Sequence, residues 1–325
     1  MMFIDPLVNR LDSLFQRLLG RLSLSQKLVF SFLLIIILPL TISFAISQRI
    51  IEQSSIQRIR NSGESAFSLV HRNIDDLLER MSSAALFLDG SLEMKRVIAA
   101  PPENDRERYL QASYIEELFN GIEDTVIRQN SFLTLLTSDN RLYTNHHQHR
   151  DLADEIRTVL EWRPEVYENL RLHWLGSNSV LKLYDTQDSF TFSLSKQLTL
   201  DPAEEITAFL LISLPRSILE REMEDLTPAL FLLLDEESRL VGGTPGALDD
   251  SDYGRHITLP ESTARGFQRT LYRREPHFMF RESLDIGIWE LVYLIPADYA
   301  LGEIRRQRTQ LILINLIFIS IFVAF

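Results

Sequence analysis

The sequence predicts an α+β fold: a long amino-terminal helix, then two antiparallel-sheet units in tandem, flanked by transmembrane helices. Three observations predict it. Two uncharged apolar runs, residues 28–47 and 311–325, bracket the chain. No proline interrupts a helical pattern between Pro39 and Pro101. Beyond residue 131 the helical period gives way to short strand-like apolar stretches, and a strand, acidic turn, strand unit occurs at both 132–144 and 229–241.

Residues 1–27 are read as a cytoplasmic amphipathic segment. Leu7, Leu11, Leu14, Phe15, Leu18 and Leu22 share one helical face, with Arg10, Arg17 and Arg21 off it. A simple continuation of the next helix explains the pattern equally well. The run 28–47 has about the ~20 residues needed to cross a ~30 Å hydrocarbon core, and Pro39 kinks such a helix without abolishing it. Ala45 and Ser47 form a small-x-small pair, the mark of a cleaved leader, but leader cores of ~7–15 residues are shorter than this run. Basic residues near the two runs almost balance, so they orient the chain weakly. Large translocated domains tolerate such charges, and a cytoplasmic amino terminus is favoured, placing 48–310 outside the cytoplasm at a cell membrane crossed twice.

Residues 48–130 form a stalk helix and shorter helices. Ile56, Ile59, Gly63, Ala66, Val70, Asn73 and Leu77 recur in steps of three and four, a seam that packs against its own domain or against a second copy. The helix continues to about Phe87, and Pro101-Pro102 breaks the shorter helices that follow. The first sheet unit occupies 131–225, with strands expected at 132–137, 141–144, 172–175, 180–184, 190–194 and 207–214 and a helix over 151–169. The second occupies 226–304, with strands at 229–234, 239–241, 267–272, 278–282 and 288–294, ended by Pro296. Residues 305–325 are read as an exit helix and the first part of a second span cut off at Phe325.

The whole chain carries a formal charge of −12, and the segment between the apolar runs is more acidic still. Such a surface repels nucleic acid. There are no cysteines, which excludes disulfides, thiolate metal sites and cysteine nucleophiles.

The order of elements resembles the double Cache sensor region of YesM-type membrane histidine kinases, with PAS-like units. The resemblance lies in KLVFSFLLIIILPL at the first span, in Trp174-Leu175-Gly176 followed by FTFSLSKQL, and in FLLISLPRSILERE at the crossover between units. FLLLDEESRLV and IGIWELVYLIPADYALGEIRRQR, with Trp289 and Pro296, continue it. It implies a homodimeric receptor that binds a small molecule outside the cell in its membrane-distal unit, 131–225. Output would pass through a HAMP linker and histidine kinase to a response regulator, none of them within this sequence. AraC-type membrane regulators and chemoreceptors share similar sensor halves and are the alternative. The family's amino-acid-sensing signature is not cleanly present among Arg171, Trp174, Tyr184 and Asp185.

No catalytic motif occurs: no phosphate loop, HExxH or GxSxG. The segment 242–246 lacks a phosphate-loop lysine and reads as a solvated turn. His146, His147 and His149 could hold a divalent metal, but a polar loop tip is the simpler reading. Asp249, Asp250 and Asp252 lack the rest of a calcium loop. No cofactor is expected. The ligand-pocket candidates are Tyr143, Trp174, Tyr184 and Asp185: flat aromatic faces for an uncharged ligand such as a sugar, and a carboxylate to accept its hydroxyls.

Overall fold

The computed structural model describes residues 24–145, 171–176, 191–201, 206–223, 229–244, 255–257, 259, 267–285 and 289–302, and positions 306, 309, 310, 312, 313, 317 and 320. The expected helix at 151–169, the strand at 180–184, His146, His147, His149, Tyr184, Asp185 and the 249–252 aspartates lie outside the described residues. The chain divides into two units, one of residues 1–60 with 298–325, the other of residues 61–297.

Helix α1 (Leu24–Gly90) is continuous through Pro39, as the proline-free pattern beyond it requires. Ile35, Leu38, Ile42 and Ile46 are all exposed on it. Among the described residues no helix is long and apolar enough to cross a membrane; several side chains of the run 28–47, and most of 311–325, lie outside the description. In the other unit, α1 turns Val70, Ile74, Leu77, Leu78 and Met81 inward. Gly63, Val70 and Leu77 of the predicted seam are thus buried within their own chain, while Ile56 and Ile59 stay half-exposed.

Ser91 caps α2 (Leu92–Ala99) by accepting from the Met94 N–H. Asn104 caps α3 (Asp105–Ile122) by accepting from the Glu107 N–H at 2.9 Å, and the Glu107 carboxylate accepts from the Glu103 N–H in return. A π-helical turn (Glu123–Ile127) follows and stops at Arg128, whose left-handed φ of 58° reverses the chain.

The first sheet contains β1 (Phe132–Thr137), β2 (Leu142–Thr144), β3 (His173–Leu175), β4 (Thr191–Asp201) and β5 (Ile206–Pro215). After α4 (Arg216–Met223) the second sheet contains β6 (Leu230–Leu234), β7 (Leu240–Gly243), β8 (Gln268–Tyr272), β9 (Glu275–Ser283) and β10 (Glu290–Pro296). Their orders are β2-β1-β5-β4-β3 and β7-β6-β10-β9-β8, the same arrangement twice and antiparallel throughout. The echo of hairpins in the sequence is therefore a structural repeat. Both acidic turns place one residue in the left-handed region, Asn140 at φ 70° and Ser238 at φ 58°.

Each sheet turns one face to the helices. On the first, Lys196 reaches Asp89 of α1 and the Tyr143 hydroxyl meets Gln111 of α3. On the second, Gly63 approaches so closely that an added Cβ would lie 2.6 Å from the Phe280 ring, and Gly242 meets Leu219 of α4. The helix-facing core is thus shared by both sheets.

Candidate functional site

Directly paired residues of an antiparallel sheet share a face. In the first sheet the register aligns Thr144, Thr134, Leu211, Ser195 and His173 in one row across all five strands. The adjacent row is Phe132, Ser213, Ser193 and Leu175. Both rows lie on the face opposite Lys196 and Tyr143, away from the helices. Thr134, Thr144, Ser193, Ser195 and Ser213 are all buried. Their hydroxyls each donate and accept, so they can serve ligand hydroxyls of either polarity. Ser193 Oγ and Ser213 Oγ are 2.7 Å apart, and Ser195 Oγ donates to the His173 carbonyl at 3.2 Å. Among the described residues these rows carry no Asp, Glu, Lys or Arg.

The corresponding face of the second sheet is different. Leu232, Leu234, Leu240, Tyr272, Met279, Val292 and Leu294 form one apolar cluster there, with Leu230, Ile257 and Leu259 packed against it. Two sheets of one topology thus bury one polar and one aliphatic outer face. Buried hydroxyls cost free energy unless bonded, so such a row in the middle of a sheet is a specialised surface.

The rim of the first sheet is polar in a structural way. Asn145 ties β1 to the π turn: its Oδ1 accepts from the Leu133 N–H, and its Nδ2 donates to the Ser131 carbonyl and the Glu123 carboxylate. On the helix side, Asp89 lies 2.9 Å from Lys95 and 3.3 Å from the buried Lys196. Burial works against the Asp89 charge, but the two ammonium groups outweigh it and hold its carboxyl below the ordinary range.

Two of the four predicted pocket residues, Tyr143 and Trp174, are described, and neither lies in these rows. Tyr143 is buried on the helix-facing side, its hydroxyl between Arg141 at 3.2 Å and Gln111 at 3.3 Å. Burial pushes that hydroxyl above its usual pKa, against the pull of Arg141. Trp174 is on the same side but on the opposite edge strand, its ring 5.6 Å from that of Trp289, which Phe192 also meets at 6.0 Å. Tyr143 and Trp174 are therefore not brought together, and Trp174 packs at the junction between the sheets. Gly176 continues that junction: a Cβ there would lie 3.2 Å from both Asp235 Oδ2 and Val241 Cγ2. Tyr184 and Asp185 lie outside the described residues. The hydroxyl rows were missed, although FTFSLSK at 190–196 alternates serine with apolar residues and carried the signal.

No known protein-family signature matches the sequence, and no curated protein matches it. Solved structures do match. The sensor domain of the V. cholerae histidine kinase DctB superimposes with a TM-score of 0.51 at 11% identity, over 74% of this chain and 98% of that one. The fold is that of Cache-type sensory domains. The Pseudomonas aeruginosa PAO1 amino acid chemoreceptor PctC, solved with GABA, matches with a TM-score of 0.51 at 13% identity, over 73% of this chain and 99% of that one. The sensory domain of the Campylobacter jejuni chemoreceptor Tlp3 matches with a TM-score of 0.50 at 12% identity, over 76% and 97%.

Proposed function

We propose that the chain is the extracytoplasmic ligand-sensing region of a membrane-anchored two-component histidine kinase, with its ligand held on the outer face of the first Cache sheet. The contrast between the two equivalent faces carries this reading: hydroxyls on one, an aliphatic cluster on the other. The ligand is small, polar and uncharged, such as a sugar, because the described residues of that face offer hydroxyls and no charged partner. Tyr184 and Asp185 are proposed as further contacts. The uncharged run 28–47, with Ile35, Leu38, Ile42 and Ile46 exposed, supports the membrane anchor. The receptor acts as a homodimer whose copies approach near Ile56 and Ile59. Chemoreceptors share the fold, so a chemoreceptor is the second reading.

A thermal-denaturation screen of the full chain in detergent against sugars, polyols and amino acids tests the site. A ligand at about a hundred times its Kd stabilises by ~2.7 kcal/mol, a rise on the order of 5–10 °C for a unit of this size. Thr134→Val and Ser195→Ala should remove most of that rise; Thr134→Val should leave the unliganded melting temperature nearly unchanged, while Ser195→Ala also loses its bond to the His173 carbonyl, ~1 kcal/mol. An undiminished rise in both variants places the site elsewhere.

A further inference from the structure

We infer that His71, Asp75 and the segment after β9 form a proton-dependent clamp between α1 and the second sheet. His71 Nδ1 lies 2.9 Å from Asp75 Oδ2. His71 Nε2 lies 3.2 Å from the Ser283 carbonyl oxygen. The second Asp75 oxygen accepts from the Asp285 N–H at 3.1 Å. A carbonyl only accepts, so Nε2 must donate. A bare Nδ1 would then face a carboxylate lone pair to lone pair, so that contact also needs a proton. The assembled clamp therefore holds one proton more than a neutral imidazole beside an ionised carboxylate.

The surroundings favour keeping it. The Phe67 ring lies 5.8 Å from the His71 ring. Besides His71, the charged groups acting on Asp75 among the described residues are Asp76 of α1 and Asp285 of the segment after β9. Burial raises the Asp75 pKa, and both neighbouring carboxylates add to that, while His71 and the Asp285 N–H pull it down. The sign follows: the clamp is complete while the pair holds its one shared proton and is lost as pH rises and that proton leaves. The clamped segment leads into Trp289 and β10, and the Leu284 N–H donates to the Trp289 carbonyl at 2.9 Å. Release would free the hairpin whose second strand ends this unit. The clamp stands on geometry alone; only its use as a signal input rests on the sensory reading.

Hydrogen exchange of the full chain in detergent tests it, with rates over 283–285 corrected for the intrinsic pH dependence. Protection should fall several-fold between about pH 5.5 and 8.5 as the shared proton is lost. Asp75→Asn separates the clamp from general stability. Its amide can donate to an unprotonated Nδ1 while its oxygen still accepts from Asp285, so the neutral form closes the clamp and the loss of protection with rising pH should disappear or reverse. His71→Ala should show the parent chain's high-pH protection at every pH, since the Leu284 N–H and Asp285 N–H keep their own acceptors. Constant protection in the parent chain, or an unchanged pH dependence in Asp75→Asn, overturns the inference. A ligand shift lost in Thr134→Val with this pattern intact bears on the hydroxyl site alone.

Discussion

Gly63→Ala tests how tightly α1 rests on the second sheet. The new Cβ would lie 2.6 Å from one Phe280 ring carbon and 3.0 Å from Ile295 Cδ1, at and below the limit of real contacts. Phe280 cannot simply swing away. Its ring is hemmed by Phe67 at 6.0 Å, Phe267 at 5.2 Å and Tyr293 at 5.9 Å. Overpacking of this kind costs ~1–3 kcal/mol. The helix itself gains up to ~1 kcal/mol when alanine replaces an interior glycine. Gly121 in α3 supplies the reference, because a Cβ there meets nothing within 4 Å. Gly121→Ala should therefore stabilise by ~0.5–1 kcal/mol, and the gap between the two variants measures the clash itself, ~1–3 kcal/mol. Urea unfolding of the full chain in detergent, followed by tryptophan fluorescence, gives both midpoints. Adding Phe280→Leu to Gly63→Ala should recover part of the loss as a positive coupling. Gly63→Ala as stable as Gly121→Ala would refute the close approach.

The remaining expectations concern the junction and the buried charges. Trp289→Ala should cost ~3–5 kcal/mol, since the side chain is 1% exposed between Trp174 and Phe192; calorimetry should show a far smaller loss for the half-exposed Trp174→Ala. Asp89→Asn removes a carboxylate from Lys95 and Lys196, and urea midpoints at neutral pH should drop by ~1–3 kcal/mol. The Asp89 carboxyl is held below its ordinary value, so its contribution is complete above that value and lost as pH falls through the depressed one. The acid limb of a stability profile should accordingly be shallower in Asp89→Asn than in the parent chain.

The strands were legible because period-two alternation survives wherever one face meets a core, as in FTFSLSK. β4 proved longer than expected, running to Asp201, because its later residues pair with β5 although their pattern is polar. The long helix was read to Phe87 and ends at Gly90, where Ser91 begins the next cap. The seam from Ile56 to Leu77 was ambiguous for a physical reason: heptad spacing buries a helix face equally well against a sheet or a twin. The candidate site was the least legible part. Aromatic and acidic residues suggested a pocket, yet Tyr143 and Trp174 face the helices. The serines and threonines of the other face were not singled out, because short hydroxyl side chains suit a solvated strand face as well as a buried one. Only the strand register brings Thr134, Ser195 and Ser213 onto one face, and only burial distinguishes that face from a solvated one.

In both sheets the first and last strands are neighbours at the centre, β1 beside β5 and β6 beside β10. The chain thus enters and leaves each sheet through adjoining strands, and everything between them is a single excursion that returns to its starting place. The path from β5 through α4 to β6 is indifferent to the length of either excursion. Insertions, deletions and wholesale rewriting between β2 and β4 would alter what the first sheet displays without moving its two central strands. A lineage built on this plan can change its chemical vocabulary while its frame stays constant, and recognition and architecture are then inherited separately.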